Sequence, residues 1–277
     1  MQSMHTETIS YPEAQNYIEG RFQQGNARSM EVQSPVNGKT ISSVPLSSYE
    51  DLDKAVQSAQ AAFKGWSEQT LKERVQVFYR FRSLLEKNMD ELAELIHLEN
   101  GKTRQEAQAE VLKGMELSEF ACSLPQIVSD EIQEVSQGVE CRTSHRPMGV
   151  VASISPFNFP LMVPLWTIPN ALSLGNCMIL KPSELVPLSA RRIAELLKEA
   201  GLPDGVFNIV NGDKEIVEAI CDHPGISAVS FVGSTRVAKI VYKRATSNLK
   251  RAVCLGGAKN HLIVLSDANP EISSANI

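Results

Sequence analysis

The segment from Val150 to Glu184 constrains the fold of this chain more than any other, because two uncharged runs in it flank a stretch of helix length. The first run, Gly149 to Ser153, is long enough for one buried strand, and the second, Cys177 to Leu180, ends abruptly at Lys181. A strand–helix–strand unit of this kind builds a parallel sheet. We therefore predict an α/β fold organised around this segment.

The same alternation continues through the rest of the sequence. The stretch 161–174 is apolar on all sides, so we expect a buried helix that kinks at Pro169. A helix from Pro187 is predicted to end at Gly201. Further strands are predicted at Val206–Val210, Ala228–Val232, Arg251–Leu255 and His261–Leu265.

The first half of the chain does not have this alternation of strands and helices. Residues 1–46 are polar and turn-rich, with a hairpin signal at 34–38, and we expect them to cover a surface rather than to build the core. Three helices are then predicted, the first capped by Ser47 and Glu50, the second over 71–98, and the third from Thr103 to about Cys122. The stretch 139–146 alternates imperfectly, which predicts a strand that leaves the domain and pairs with another subunit.

Composition narrows the class of protein. The 277 residues are 43% hydrophobic and 21% charged, with a formal net charge of −5, which argues against nucleic acid as the main partner. No apolar run approaches a membrane span, and Met1 to Gly20 has the pattern of neither a signal nor a transit peptide. Five cysteines without motif spacing predict no disulfide framework and no metal site. We expect a cytoplasmic protein of about two domains.

Polar residues follow four of the predicted strands. Because parallel strands bring their carboxyl ends to one edge of a sheet, these clusters are expected to meet where open α/β sheets bind ligands. An edge of this kind suits a nucleotide. The clusters are Ser155–Asn158, Lys181–Glu184, Asn211–Gly212 and Gly233–Ser234.

Each cluster has a functional and a purely structural interpretation. Lys181 after an apolar strand meets either a ligand oxygen or solvent, and Glu184 accepts either from ribose hydroxyls, which favours NAD over NADP, or from Lys181 in a surface ion pair. Gly233–Ser234 is either a pyrophosphate site or a helix cap, and it lacks the G-x-G-x-x-G spacing. Asn158 either aims its amide at a developing oxyanion or bonds its own backbone in a turn.

Five segments together resemble the aldehyde dehydrogenase superfamily in order and spacing from about residue 30 onward. They are PFNFP (156–160), LKPSE (180–184), EAGLPDGVFNIVNG (199–212), FVGST (231–235) and SNLKR (247–251). Within the superfamily, LGGAKNH (255–261) and FNFP followed by LMVPLW resemble the CoA-acylating branch typified by methylmalonate-semialdehyde dehydrogenase.

The resemblance implies an aldehyde-dehydrogenase-type fold: a Rossmann-like parallel sheet with flanking helices, truncated at the start of the catalytic domain. It implies an N-terminal helical part of the NAD-binding domain at 1–137, an oligomerisation strand at 138–148, the Rossmann-like core at 149–254, and the start of the catalytic domain at 255–277. A homo-oligomer is implied for the full-length protein.

The resemblance also implies chemistry. A cysteine thiolate attacks the aldehyde, hydride leaves to NAD, and CoA takes the acyl group, with loss of CO₂ when the substrate is methylmalonate semialdehyde. The implied roles are oxyanion-hole amide for Asn158, ribose contacts for Lys181, Glu184 and Leu185, the nicotinamide side for Ser155, Phe157 and Gly256, and the pyrophosphate for Ser234.

Three departures from the family pattern bear on function. Cys254 stands where hydrolytic relatives have the glutamate that activates water, which favours a thiol acceptor such as CoA. Lys113 matches an arginine that helps to hold the substrate carboxylate, so the charge is kept but the bidentate fork is lost. The nucleophilic cysteine of the family is expected shortly after residue 277, outside this sequence.

Three functional hypotheses remain open from the sequence. The first is the CoA-acylating aldehyde dehydrogenase, for which methylmalonate or malonate semialdehyde is the expected substrate. The second is a non-catalytic module that binds NAD or pairs with an intact subunit. The third, an unrelated hydride-transfer enzyme, lacks a Tyr-x-x-x-Lys pair or a His/Asp pair at these strand ends.

Overall fold

The computed structural model describes residues 11–24 and 28–275. The first half of the segment Met1 to Gly20, about which a leader was considered, therefore falls outside the described residues. The strands are β1 (Asn16–Ile18), β2 (Arg21–Gln23), β3 (Arg28–Gln33), β4 (Thr40–Leu46), β5 (Glu131–Ser136), β6 (Val139–Thr143), β7 (Val150–Ile154), β8 (Cys177–Lys181), β9 (Phe207–Ile209), β10 (Ala228–Val232) and β11 (Arg251–Leu255). The helices are α1 (Tyr49–Ser67), α2 (Leu71–Lys87), α3 (Met89–Asn100), α4 (Arg104–Ile127), α5 (Met162–Ser173), α6 (Leu188–Glu199), α7 (Lys214–Asp222), α8 (Thr235–Ser247) and α9 (Pro270–Ala275).

The central sheet has seven strands in the order β11-β10-β7-β8-β9-β1-β2. Strands β7 to β11 are parallel, whereas β1 runs antiparallel to β9 and β2 antiparallel to β1. All five residues of β7 and of β8 are buried, as their uncharged sequences predict. The predicted α/β fold with a parallel sheet is confirmed.

The strand order reverses at β7. From β7 the chain moves to β8 and β9 on one side, then returns to place β10 and β11 on the other side. Helices α5 and α6 pack with α2 and α4 on one face, and α1, α7 and α8 pack on the other face. In open α/β sheets a reversal of this kind marks the crevice where ligands bind, and here it lies between the carboxyl ends of β7 and β10.

Two predictions for the helical region were wrong. The second helix does not run from 71 to 98, because Asn88 ends α2 and begins α3, and its side-chain amide donates to the Leu84 carbonyl at 2.8 Å. The N-cap of α1 is Ser48 rather than Ser47, with Asp51 rather than Glu50 as its partner. Ser47 instead exchanges hydrogen bonds with Asn16, the first residue of β1, a long-range contact that no local pattern reveals.

The N-terminal region both confirms and corrects its prediction. Strands β3 and β4 form the predicted antiparallel hairpin. However, β1 extends the central sheet and buries Tyr17 and Ile18 in the core, so this region does more than cover a surface. The stretch 139–146 was predicted as a single strand, but β6 pairs with β5 in an exposed hairpin. Pairing of this hairpin with another subunit stays a prediction.

The predicted strand His261–Leu265 does not form. The segment after β11 has no ladder partner among the described residues, and its apolar side chains Leu262, Ile263, Val264 and Leu265 are exposed. A strand requires a neighbour that satisfies its backbone groups, which apolar side chains alone cannot supply. Over residues 11–24 and 28–275, no helix combines the length and apolar character needed to cross a membrane.

Candidate functional site

The carboxyl ends of three adjacent strands carry the central residues of the candidate site. Ser155 follows β7, Lys181 ends β8, and Ser234 lies two residues beyond β10. Because β7 lies between β8 and β10, the spacing of sheet strands puts the ends of β8 and β10 about 10 Å apart. The expectation that these polar clusters share one sheet edge is confirmed for three of the four clusters, those that follow β7, β8 and β10.

Lys181 forms an ion pair that is buried at one end and open at the other. Its side chain is 5% exposed and its Nζ donates to Glu184 Oε2 at 2.9 Å, whereas the Glu184 side chain remains 32% exposed. The Lys181 carbonyl accepts from the Ser155 N–H at 3.1 Å, which joins the ends of β8 and β7. The structure therefore shows the ion pair that the sequence allowed, and it places an ammonium and a carboxylate side by side at the edge of the sheet.

The connection from β10 to α8 forms the opposite wall of the crevice. Ser234 is the N-cap of α8, and its Oγ accepts from the Val237 N–H at 3.4 Å. A Cβ at Gly233 would lie 2.6 Å from the buried Phe231 ring, so a larger residue there would force that ring to move. The helix cap is thus observed, and the remaining free N–H groups with the helix dipole suit an anion at the same place.

Gly256 lies against the first turn of α8. A Cβ there would lie 2.9 Å from Thr235 Oγ1, and the same hydroxyl accepts from the Gly257 N–H at 3.0 Å. The end of β11 is therefore tied to α8 beside Ser234. The contact of Gly256 with the nicotinamide stays a prediction.

The loop 156–160 presents Asn158 and Phe157 with exposed side chains. Its backbone is held by side chains from outside the loop: Asn100 Nδ2 donates to the Phe157 carbonyl at 2.8 Å, and Lys102 Nζ donates to the Asn158 carbonyl at 2.7 Å. Sequence reasoning missed both residues. The pair Asn100–Gly101 was interpreted only as the end of a helix, and nothing in the spacing linked Lys102 to a loop more than fifty residues away.

Asn211 does not face the crevice, contrary to expectation. It is buried, and its Nδ2 donates to the carbonyls of Ala14 at 2.8 Å and Gln15 at 3.0 Å. Its backbone N–H donates to Asn16 Oδ1 at 2.8 Å. Because β1 arrives beside β9 and brings these groups with it, the amide holds the N-terminal segment to the sheet.

Phe157 and Leu185 line a shared groove of about 360 Å³ beside the crevice. Both side chains are more than half exposed. Lys113 lies on the exposed face of α4, where it forms an ion pair with Glu116. Its predicted contact with a substrate carboxylate stays a prediction.

Four of the cysteines are held as neutral thiols. Burial raises the pKa of Cys122 to about 11, of Cys177 to about 12 and of Cys221 to about 11. Burial also raises the pKa of Cys254, which packs against the core from β11. Because the thiolate is the reactive form, a raised pKa makes Cys254 an unreactive thiol rather than a nucleophile or base.

Comparison with known proteins decides the family. Residues 22–277 match the model of the aldehyde dehydrogenase family. The chain belongs to the aldehyde dehydrogenase family. The fold class and the resemblance that the sequence motifs indicated are thereby confirmed.

Relatives with curated names narrow the likeness within the family. The chain is 46% identical over 264 residues to malonate-semialdehyde dehydrogenase 2 of Bacillus cereus, which covers 95% of this chain and 54% of that protein. It is 46% identical over 264 residues to malonate-semialdehyde dehydrogenase 2 of Oceanobacillus iheyensis, with the same two shares, 95% and 54%. The chain therefore spans about half the length of the curated relatives that it matches.

Solved structures agree. A protein of Sinorhizobium meliloti 1021, assigned as a methylmalonate-semialdehyde dehydrogenase and solved with NAD, superposes with a TM-score of 0.92 at 42% identity, over 97% of this chain and 55% of that one. The methylmalonate-semialdehyde dehydrogenase of Oceanimonas doudoroffii gives a TM-score of 0.87 at 44% identity, over 92% and 52%.

Proposed function

We propose that this chain binds NAD at the carboxyl edge of its sheet and serves the oxidation of malonate or methylmalonate semialdehyde, with transfer of the acyl group to CoA. The observation that carries the proposal is the strand order β10-β7-β8, which puts Lys181 and Glu184 at the end of β8 and the N-terminus of α8 after β10 at the same edge of the sheet. The likeness to a family member solved with NAD supports the same assignment.

The residues present fit the cofactor by their chemistry. The open carboxylate of Glu184 accepts from the adenosine ribose hydroxyls and disfavours a 2′-phosphate, and Lys181 donates to the same ribose. The N–H groups at the start of α8, next to Ser234, receive the pyrophosphate. When bound, NAD supplies the hydride acceptor. Ser155, Phe157 and Gly256 then line its nicotinamide end.

The remaining roles follow from the exposed loop and from β11. Asn158 offers its side-chain amide to the oxygen of the aldehyde as negative charge develops there. Cys254, with its raised pKa, cannot activate water as a carboxylate does, so the acyl group passes to a thiol. Lys113 attracts the carboxylate of the semialdehyde.

Titration of the purified chain with NAD tests the proposal. Lys181→Ala should weaken binding by about 1–3 kcal/mol, because a buried charge-assisted donor is lost. Isothermal titration calorimetry measures the affinity. Lys198→Ala is the matched control, since Lys198 lies at the far end of α6 and forms an ion pair with Asp204 at 3.6 Å. Equal affinities for the two variants would contradict the ribose assignment.

A second candidate function is NAD binding without catalysis. It is favoured by the cysteines, since Cys122, Cys177, Cys221 and Cys254 all have raised pKa values and Cys141 lies on the exposed β5–β6 hairpin. Mixing the chain with aldehyde, NAD and CoA and following NADH absorbance separates the two. A module that only binds gives no NADH while the NAD titration still gives a signal.

A further inference from the structure

The loop 156–160 leads directly into α5, and a buried carboxylate from α4 caps that helix. Glu110 Oε1 accepts from the Leu161 N–H at 2.9 Å and from the Met162 N–H at 3.0 Å. Leu161 is the N-cap residue of α5 and its side chain provides no capping hydrogen bond. The Glu110 side chain is 1% exposed. It therefore satisfies backbone donors that would otherwise be buried without partners.

Lys102 links this carboxylate to the loop. Its Nζ forms an ion pair with Glu110 Oε2, donates to the Asn158 carbonyl at 2.7 Å and lies 3.8 Å from the centroid of the Phe159 ring. One ammonium thus contacts two consecutive residues of the loop and the carboxylate that caps the next helix. Such a charge-assisted network is stronger and more directional than hydrogen bonds between neutral groups.

We propose that Lys102 and Glu110 are positioning residues for the loop 156–160, holding Asn158 and Phe157 in the shape that receives the nicotinamide end of NAD and the aldehyde oxygen. The inference rests on the proposed function for the roles of Asn158 and Phe157. Two carbonyls of the loop are bound by side chains of other elements, Asn100 and Lys102, whereas the side chains of Phe157 and Asn158 remain exposed. The loop is therefore fixed through its backbone and its side chains are available to a ligand. A donor placed before the reaction needs no reorganisation during it.

Hydrogen–deuterium exchange and ligand titration on the purified chain test the inference together. Lys102→Met should speed amide exchange at Leu161 and Met162, whose N–H groups donate to Glu110, by about tenfold or more, the equivalent of one lost charge-assisted hydrogen bond. It should weaken binding of NAD by at least about fivefold and leave AMP unchanged, because AMP does not reach the loop. Lys102→Arg, which keeps a cation within reach of the Asn158 carbonyl, should restore most of both effects.

The matched control is Arg104→Met. Arg104 forms an ion pair with Glu94 at the start of α4, two residues from Lys102, and that pair does not include the loop. This variant should exchange and bind as the unaltered chain does. If Lys102→Met fails to fold, Lys102→Gln, which removes the charge but keeps a hydrogen-bond donor, should speed exchange at Leu161 and Met162 by a smaller factor.

Two results would overturn the inference: amide exchange at Leu161 and Met162 in Lys102→Met equal to that of the unaltered chain, or equal losses of NAD and AMP affinity. The second result would indicate a general loss of stability. If the unaltered chain does not bind NAD at all, the proposed function fails, and the exchange measurement still decides whether Lys102 and Glu110 hold the loop.

Discussion

Two loops at the same edge of the sheet differ in how they are held. The loop 156–160 follows β7, which is buried along its whole length, and side chains from the end of α3 and from the α3–α4 connection fix its carbonyls. The stretch 256–260 follows β11, where exposed and half-buried residues alternate, and Thr235 holds its start. Both loops follow parallel strands, so the difference arises from what surrounds each strand.

Two similar apolar runs, one on each side of the comparison, differ in whether they form a strand. Cys177 to Leu180 is a buried strand between two neighbours, whereas Leu262 to Leu265 is exposed and irregular. Strand propensity measures how well a side chain fits a half-buried pleated surface, so it has little effect without a partner strand. A continuous apolar run therefore indicates a strand only where the fold provides neighbours.

Substitution of one side chain in β7 and one in β11 should give the largest difference in the free energy of unfolding. Ile154→Ala in β7 removes a buried side chain and should lower the free energy of unfolding by about 2–5 kcal/mol, through lost burial and a cavity. Val253→Ala in β11 removes a side chain that is 60% exposed and should change it by less than about 0.5 kcal/mol. Urea denaturation measures both. Equal losses would show that the two strands are equally buried in solution.

The pH dependence of stability should reveal the buried carboxylate Glu99, which binds the backbone at the start of α6. Glu99 accepts from the N–H groups of Leu188 and Ser189 at 2.8 and 2.9 Å, and burial raises its pKa from 4.5 to about 7. The folded chain then keeps a proton that the unfolded chain has released, so this group makes stability fall as pH rises from about 4.5 to about 7.

Glu99→Gln removes that titration. The difference in unfolding free energy between the unaltered chain and the variant should shift by up to about 3 kcal/mol between pH 5 and pH 8, at 1.36 kcal/mol per pKa unit. The unaltered chain should be relatively more stable at the lower pH. Denaturation at both pH values measures the shift, and a constant difference would show that Glu99 has an ordinary pKa.

The smallest effect concerns two glycines. A Cβ at Gly114 would lie 2.7 Å from Leu161 and Leu165, where α4 packs closely on α5 beneath the loop 156–160. Gly114→Ala should therefore lower the free energy of unfolding by about 1–3 kcal/mol through overpacking. At Gly257 the nearest atom would be Thr235 Oγ1 at 3.4 Å, so Gly257→Ala should be close to neutral. Thermal unfolding compares the two, and a neutral Gly114→Ala would argue against tight α4–α5 packing.

Local signals predicted the elements of the core well. The strands Ala228–Val232 and Arg251–Leu255 have the predicted bounds, and Thr103, the predicted start of the third helix, is the N-cap of α4. Failures occurred where a distant partner decides. The side chain of Asn211 bonds the backbone beside β1, and 261–265 has no partner strand among the described residues. The division of the second predicted helix at Asn88 is instead local, since its amide donates to the Leu84 carbonyl.

By itself the sequence determined the alternation of buried strands and amphipathic helices, and with it the edge where Ser155, Lys181 and Ser234 lie. These features depend on neighbours in the chain, because side-chain period and strand length are local properties. Only the tertiary structure decided the reversal of strand order at β7 and the hold of Lys102 and Glu110 on the loop of Asn158. Those contacts join groups that are distant in sequence, and packing of the whole domain brings them together.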